Sequence, residues 1–207
     1  MEVNGPVPSG AVATQAERRA ATTSALLRAA AERFGSDGYD ATSIDRVAAA
    51  AGVTKGALYH HFAGGKEALF RQVFEDAEAA LAARCAEAAL AEPGDDPLAR
   101  LRAATRTFLE SCLDPATRRI VLVDGPAVLG WEAWREVDER HFLGGVRLAL
   151  ETAMASGQLR RRPVDPLAHL LMGALTEAAM TVARADDPQA ALRDVVDEVD
   201  NLLRGLA

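Results

Sequence analysis

Four histidines, two cysteines and two lysines are the side chains of this sequence best suited to proton, metal or anion chemistry, and half of them fall between residues 55 and 66. His60 and His61 are adjacent, which on a helix turns them about 100° apart, so they do not grip one metal ion as histidines four residues apart would. Cys85 and Cys112 lack the paired spacing of a zinc site and read as buried thiols. No nucleophile elbow, phosphate-cradling glycine loop or Cys/His cluster occurs elsewhere, so no catalytic residue, metal ligand or cofactor is expected, and a helical enzyme using His60, His61 and nearby carboxylates is a remote alternative. What remains is recognition. Thr54, Lys55, Gly56, Tyr59, His60 and His61 place donors and a cation on one short segment, and Gly56 lets a partner surface approach closely. Lys66 then stands at a helix start, where the macrodipole disfavours a cation unless an anion shares the site. A DNA phosphate would be such an anion.

The elements that must hold these residues are well punctuated. Ala20, Leu26, Leu27, Ala30 and Phe34 recur at helical spacing from Thr14 to a stop at Gly35-Ser36-Asp37-Gly38. Thr42, three residues before Asp45, has capping-box spacing, and Ile44, Val47, Ala48 and Ala51 form one stripe ending at Gly52. Thr54 caps a second short helix to about His61, Ala63-Gly64-Gly65 breaks it, and Leu69, Val73, Ala77 and Leu81 carry a long helix from Lys66 to about Leu90. Two short helices joined by Ala51-Gly52-Val53 and packed on a preceding helix fit either a structural hairpin or a helix-turn-helix, whose second helix enters the DNA major groove; the polar groups crowded on the second helix favour the helix-turn-helix. The turn requires positive φ at Gly52.

Across its 207 residues the chain has 44 Ala and 24 Leu, which favours helix over strand, and the expected fold class is all-α. Asp96-Pro97, Asp114-Pro115, Asp165-Pro166 and Asp187-Pro188 each read as an N-cap followed by proline in the first turn. Gly125-Pro126 is expected to interrupt a short helix, and Trp131 to Met154 shows another long stripe; the total is about nine helices. Residues 1–13 read as a disordered arm, 14–74 as a helix-turn-helix domain and 75–207 as a larger helical domain. No stretch approaches about 18 apolar residues and no signal sequence opens the chain, so no membrane partner and a cytoplasmic location are expected. The net charge of −7 argues against nucleic acid when taken whole. Divided, it reads differently: residues 14–74 hold eight basic and six acidic side chains, residues 75–207 hold 15 and 23. Both lysines fall in the presumed contact stretch.

Phe34 to Gly38-Tyr39-Asp40-Ala41-Thr42-Ser43, Ile44-Asp45-Arg46-Val47-Ala48, Ala51 to Phe62, and Lys66-Glu67-Ala68-Leu69 together resemble the DNA-binding domain of the TetR family over about 50 residues. The resemblance implies a nine-helix homodimer with an N-terminal helix-turn-helix domain and a C-terminal domain that binds a small molecule and dimerises. It places Thr54, Lys55, Gly56, Ala57 and His60 toward base edges, and Tyr59, His61 and Lys66 on phosphates, with Thr42 and Ser43 near the backbone. Two departures stand out. Thr23 occupies a position where many members carry Arg, with Arg18 and Arg19 one turn upstream, and three residues rather than two separate Phe62 from Lys66.

By the same resemblance, the helices after Asp165-Pro166 and Asp187-Pro188 form a two-fold four-helix bundle with their copies through Leu170, Leu171, Ala174, Ala178, Val195, Val199 and Leu202. Candidates for a largely apolar ligand pocket are Phe108, Cys112, Trp131, Trp134, His141, Met172 and Glu177; these types at helical spacing also suit a packed core. The expected function is a ligand-responsive regulator, a repressor that binds a roughly palindromic double-stranded operator as a homodimer and is released by a small molecule. A DNA-binding regulator without a small-molecule sensor is the alternative.

Overall fold

The structure is a computed structural model that describes residues 14–206. Among these residues the chain forms nine continuous helices and no strand; the expected arm over residues 1–13 lies outside them. The helices are α1 (Gln15–Asp37), α2 (Ile44–Ala50), α3 (Lys55–His61), α4 (Gly65–Ala91), α5 (Pro97–Ser111), α6 (115–129), α7 (131–155), α8 (Val164–Arg184) and α9 (Pro188–Arg204).

Local chemistry accounts for most boundaries. Thr14 and Glu17 cap each other at the start of α1, the Thr14 hydroxyl accepting from Glu17 N at 3.2 Å. The helix does not stop at Gly35, which is buried against Ala116; a Cβ there would lie 2.7 Å from the Ala116 Cβ. It stops at Gly38, where φ of 84° closes the end and the N–H returns to Phe34 O. Asp96, Asp114 and Asp187 cap α5, α6 and α9 as their Asp-Pro spacing predicts. Asp165 does not cap α8. That helix starts earlier, at Val164 after Pro163, so Pro166 sits inside the first turn, where its missing N–H has no intrahelical partner to lose, and the Asp165 carboxylate pairs with Arg147 of α7 at 2.7 Å. Nor does Gly125-Pro126 interrupt α6. The backbone widens to a π turn over Arg118–Asp124, Gly125 N–H reaches Ile120 O five residues back, and this looser turn admits Pro126 without a break.

Packing joins the two ends of the molecule. Leu26, Phe34, Val47, Leu58, Phe70 and Phe74 form one apolar core with Ile120 of α6 and with Trp134 and Val137 of α7. Each fully buried side chain of this size contributes about 1.5–3 kcal/mol. Phe74, where the sequence suggests a domain division within one continuous helix, lies along α4 in a core that both parts share. A second core around Leu101, Leu150 and Met172 and a third around Leu109, Leu122 and Val182 hold the remaining helices. Among the described residues one helix, α8, is long and apolar enough to cross a membrane by length and composition, with a window of mean hydropathy 1.2, although Asp165, His169 and Glu177 interrupt its apolar run. The reason is visible in the packing: α8 is apolar on the side facing its own core and also on part of its outer side.

Candidate functional site

The helix-turn-helix presents an outer face with few internal commitments. The turn holds Gly52 at φ 70°, Ser43 caps α2 by accepting from Arg46 N at 3.3 Å, and Thr54 caps α3 by accepting from Ala57 N at 3.2 Å. Leu58 anchors α3 in the core, so Thr54, Lys55, Gly56, Tyr59 and His60 are left exposed with Ala57 half-buried. A Cβ built on Gly56 would meet nothing closer than Thr54 Oγ1 at 4.0 Å, so no internal packing requires glycine there. Lys55 is steered by a neighbour that the sequence reading did not pair with it: Asp45 on α2 holds its Nζ at 3.0 Å, and this hydrogen bond raises the Lys55 pKa. Lys66 is aimed as well, 4.1 Å above the Tyr39 ring and 3.4 Å from Asp40 O. The longer link before it is absorbed by Gly65, whose φ of 63° suits glycine and whose Cβ position lies 3.2 Å from the Tyr59 ring.

Two of the residues expected beside DNA are committed inward. Thr42 is only 2% exposed, and its hydroxyl sits 2.7 Å from Gly38 O and 3.1 Å from Arg33 O, so its one proton ties the α1–α2 loop together. Ser43, one residue later, is the actual cap because the Thr42 side chain is taken by that loop. His61 turns toward α1, with Nδ1 2.9 Å from Thr23 Oγ1. The Thr23 hydroxyl also lies 3.1 Å from Arg19 O, so the ring donates to Thr23 Oγ1 in its Nδ1–H tautomer and accepts from it in its Nε2–H tautomer. Burial, Arg19 and His60, in that order, lower the His61 pKa, which disfavours the cationic ring.

In the C-terminal helices an apolar groove of about 400 Å³ opens between α4, α5 and α7, walled by Cys85, Ala86, Leu101, Phe142, Val146 and Ala149 among others. His141 is the one expected pocket residue on its wall, and Phe108 stands behind it in edge contact with Phe142 at 5.8 Å. The other five lie elsewhere. Trp134 is a core anchor whose indole N–H donates to Val121 O at 3.1 Å, while Trp131 is 64% exposed and packs on it. Cys112 and Met172 are buried in the third and second cores, and Glu177 is exposed on α8. Sequence reasoning weighed aromatics and missed the small residues of α4; Ala82, Cys85, Ala86 and Ala89 at helical spacing were the available signal, since a row of short side chains is what leaves a groove.

The same geometry recurs in known proteins. Residues 26–73 match the family described as bacterial regulatory proteins, tetR family, and residues 98–206, more than half of the chain, match the tetracyclin repressor-like C-terminal domain. The chain belongs to the TetR family. A TetR-family transcriptional regulator of Pectobacterium atrosepticum shares 34% identity and superposes with a TM-score of 0.80, covering 94% of this chain and 97% of that one. The transposon Tn10 TetC protein of Escherichia coli is 25% identical over 77% of this chain and 79% of its own length. The regulator AcrR of Shigella flexneri is 36% identical over 47% of this chain and 44% of its own. RolR, crystallised with resorcinol, has the same fold at 20% identity and a TM-score of 0.68, with 93% of this chain and 95% of that one covered. The protein is thus a TetR-family transcriptional regulator, with a helix-turn-helix at its N-terminal end and the helical regulator domain after it, and neither domain type is that of an enzyme. Among the described residues no three His, Cys, Asp or Glu side chains gather as a metal site.

Within the TetR fold, α8 and α9 carry an uncovered apolar strip. Leu170 is 72% exposed and Leu202 62%, with Gly173 and Ala174 exposed beside Leu170 and Ala178 and Val195 half-buried. Leu171 and Val199, expected on this strip, face the other way into the protomer's own core with Leu203 and Met172. One residue's rotation along each helix decides which leucine is which.

Proposed function

We propose that this TetR-family regulator is a repressor that binds a roughly palindromic operator as a homodimer and is released when a small, largely apolar molecule occupies the groove between α4, α5 and α7. Residues 14–74 would read DNA and residues 75–207 would sense the ligand and dimerise, in the cytoplasm where the operator is. The observation that supports the reading best is the run of α4, which starts under the exposed face of α3 at Gly65 and ends as a wall of the groove. At about 1.5 Å per residue it spans roughly 40 Å as one rigid element.

Thr54, Lys55, Gly56, Ala57 and His60 would face base edges, with Tyr59, Ser43 and Lys66 on flanking phosphates, so that backbone contacts fix register and α3 reads sequence. Lys55 would exchange its partner Asp45 for a guanine edge or a phosphate. Leu170, Ala174, Ala178, Val195 and Leu202 would meet their copies across a two-fold axis, placing the two α3 helices about one turn of DNA apart. A ligand that fits the groove better in one α4 orientation than another shifts the population between matched and mismatched spacing.

Selecting bound duplexes from a random pool tests the first half: a two-fold-symmetric consensus is expected, and recovery of unrelated sequences refutes it. Lys55→Ala should then lower operator affinity by about tenfold or more with dimer and fold intact. Ala86→Trp, which fills the groove, tests the second half by abolishing release by any compound that releases the parent protein.

A further inference from the structure

The groove wall carries charge of one sign. It runs along α4 from Ala82 to Leu90, along α5 from Pro97 to Ala104 and along α7 from His141 to Thr152, a trough roughly 10–15 Å long at 1.5 Å per residue. Among the described residues that line it there is no Asp or Glu, and Arg100 is the one permanent cation. Cys85 adds no negative charge, because burial pushes its thiol up to about 11. The Thr152 hydroxyl is occupied, donating to Leu148 O at 2.7 Å. Apart from His141 the other lining side chains are apolar, and two of them, Leu90 and Leu148, are exposed. Part of this apolar surface therefore has no cover within the protomer.

Arg100 stands at the end of the groove beside the α4–α5 link. Residues 92–96 turn the chain from Ala91 to Pro97, and Arg100, one turn into α5, reaches back to them: its Nη2 donates to Gly94 O at 2.8 Å and its Nη1 lies 3.4 Å from the carboxylate of Asp95. Asp95 is almost fully exposed, and exposed pairs of this kind contribute little. Nε is buried and has no hydrogen-bond acceptor among the described residues. A buried charged donor left without an acceptor is costly. The acidic groups near the opposite end do not face Arg100 across the groove. Glu78 lies one turn before Ala82 on α4 and Asp138 one turn before His141 on α7, outside the lining. Burial and the like charge of Asp138 push Glu78 up to about 8, which keeps it uncharged at neutral pH, and Asp138 is paired with Arg135 Nη1 at 3.0 Å.

On the reading that this groove is the ligand site, we infer that it takes an amphipathic carboxylic acid, its apolar body lying along Leu101, Phe142, Val146 and Leu148 and its carboxylate accepting from the Arg100 guanidinium at the link end. A carboxylate supplies the acceptor that Arg100 lacks, in the planar pairing that guanidinium and carboxylate groups share. An ammonium at the same place would meet a like charge, and an alcohol would bring no charge to the pair. The acid enters ionised, so binding neither takes up nor releases a proton on its account.

Three probes share one apolar body: 4-phenylbutanoate, 4-phenylbutan-1-ol and 4-phenylbutylamine. Titration calorimetry of the full chain at pH 7.5 and low salt should show the acid binding at least about tenfold more tightly than either other probe. Arg100→Gln, whose fold is checked by its melting temperature, should remove the preference for the acid and keep the alcohol affinity, whereas Arg100→Lys, which retains the charge without the planar fork, should keep part of the preference. Ala86→Trp should abolish binding of the acid, which locates it in the groove. The assignment is overturned if the alcohol or the amine binds as well as the acid, if none of the three binds, if Arg100→Gln keeps the preference, or if Ala86→Trp binds the acid unchanged. Operator release separates this outcome from that of the repressor reading. Selective acid binding with operator affinity unchanged supports the acid site and refutes ligand-controlled release. Equal binding by all three with release does the reverse.

Discussion

Gly56 shows how a single residue can point outside its own chain. Glycine within a helix is about 1 kcal/mol less favourable than alanine, and here a Cβ would find open space, so fold stability alone favours alanine. Gly56→Ala is expected to stabilise the protein by about 0.5–1 kcal/mol in denaturant unfolding while weakening operator binding, because the added methyl meets DNA rather than protein. Stabilisation with undiminished operator affinity would show that α3 does not approach DNA at this residue. His61 carries the second prediction at this scale. Its pKa lies below the usual 6.5, so the ring gains its second N–H donor only as pH falls beneath that value. Operator affinity should therefore rise from pH 7.5 to pH 5.5 by more in the parent protein than in His61→Asn, by about 1.5 kcal/mol per subunit for one charge-assisted bond. Identical pH profiles would remove His61 from the interface altogether.

At the scale of elements, α6 is where the reading head and the helical body are joined. Asp124 at the end of its π turn accepts from Tyr39 N at 2.8 Å, Ala116 packs on Gly35, and Trp134 of α7 reaches back to Val121 O. Gly125 sits at the centre of this joint. A Cβ there would lie 2.9 Å from the Phe74 ring, 3.0 Å from Ile120 O and 3.0 Å from Trp134 Cδ1, three neighbours of which one is backbone and two are buried rings. Gly125→Ala is expected to destabilise the fold by about 1–3 kcal/mol, the usual cost of overpacking, measured as a lower midpoint in urea. If the variant folds, its operator release should also be altered, since the displaced rings belong to the core that α4, α6 and α7 share. An unchanged midpoint would mean that the joint is looser than its packing indicates.

For the whole molecule, charge distribution and symmetry decide affinity. On the homodimer reading, the excess of two basic side chains over residues 14–74 allows few phosphate contacts per subunit, so tight binding would need both subunits and would fall steeply with salt. Leu170→Asp combined with Leu202→Asp places charges on the uncovered strip of α8 and α9 and leaves each protomer's core untouched, since both side chains are exposed. The double variant should sediment as a folded monomer and lose operator affinity by about 100-fold or more. A variant that stays dimeric would place the two-fold contact elsewhere.

Much of this was written in the order of residues. Asp before Pro marked three helix starts, Gly38 and Gly52 marked turns, and the spacing from Phe34 to Leu69 determined the helix-turn-helix, because caps, positive φ and apolar period are local properties that a chain carries wherever it is. What the sequence left open involved partners distant along the chain. That Thr42 spends its hydroxyl on Gly38, that Asp45 holds Lys55, that Thr23 meets His61 and that Leu171 turns inward while Leu170 turns out depend on which helix faces which. The groove, and the buried Glu78 carboxyl without a hydrogen bond to any described residue, belong to the same class. A cavity is the space that three helices fail to fill, and a buried charge is defined by its surroundings, so only the tertiary structure could decide either.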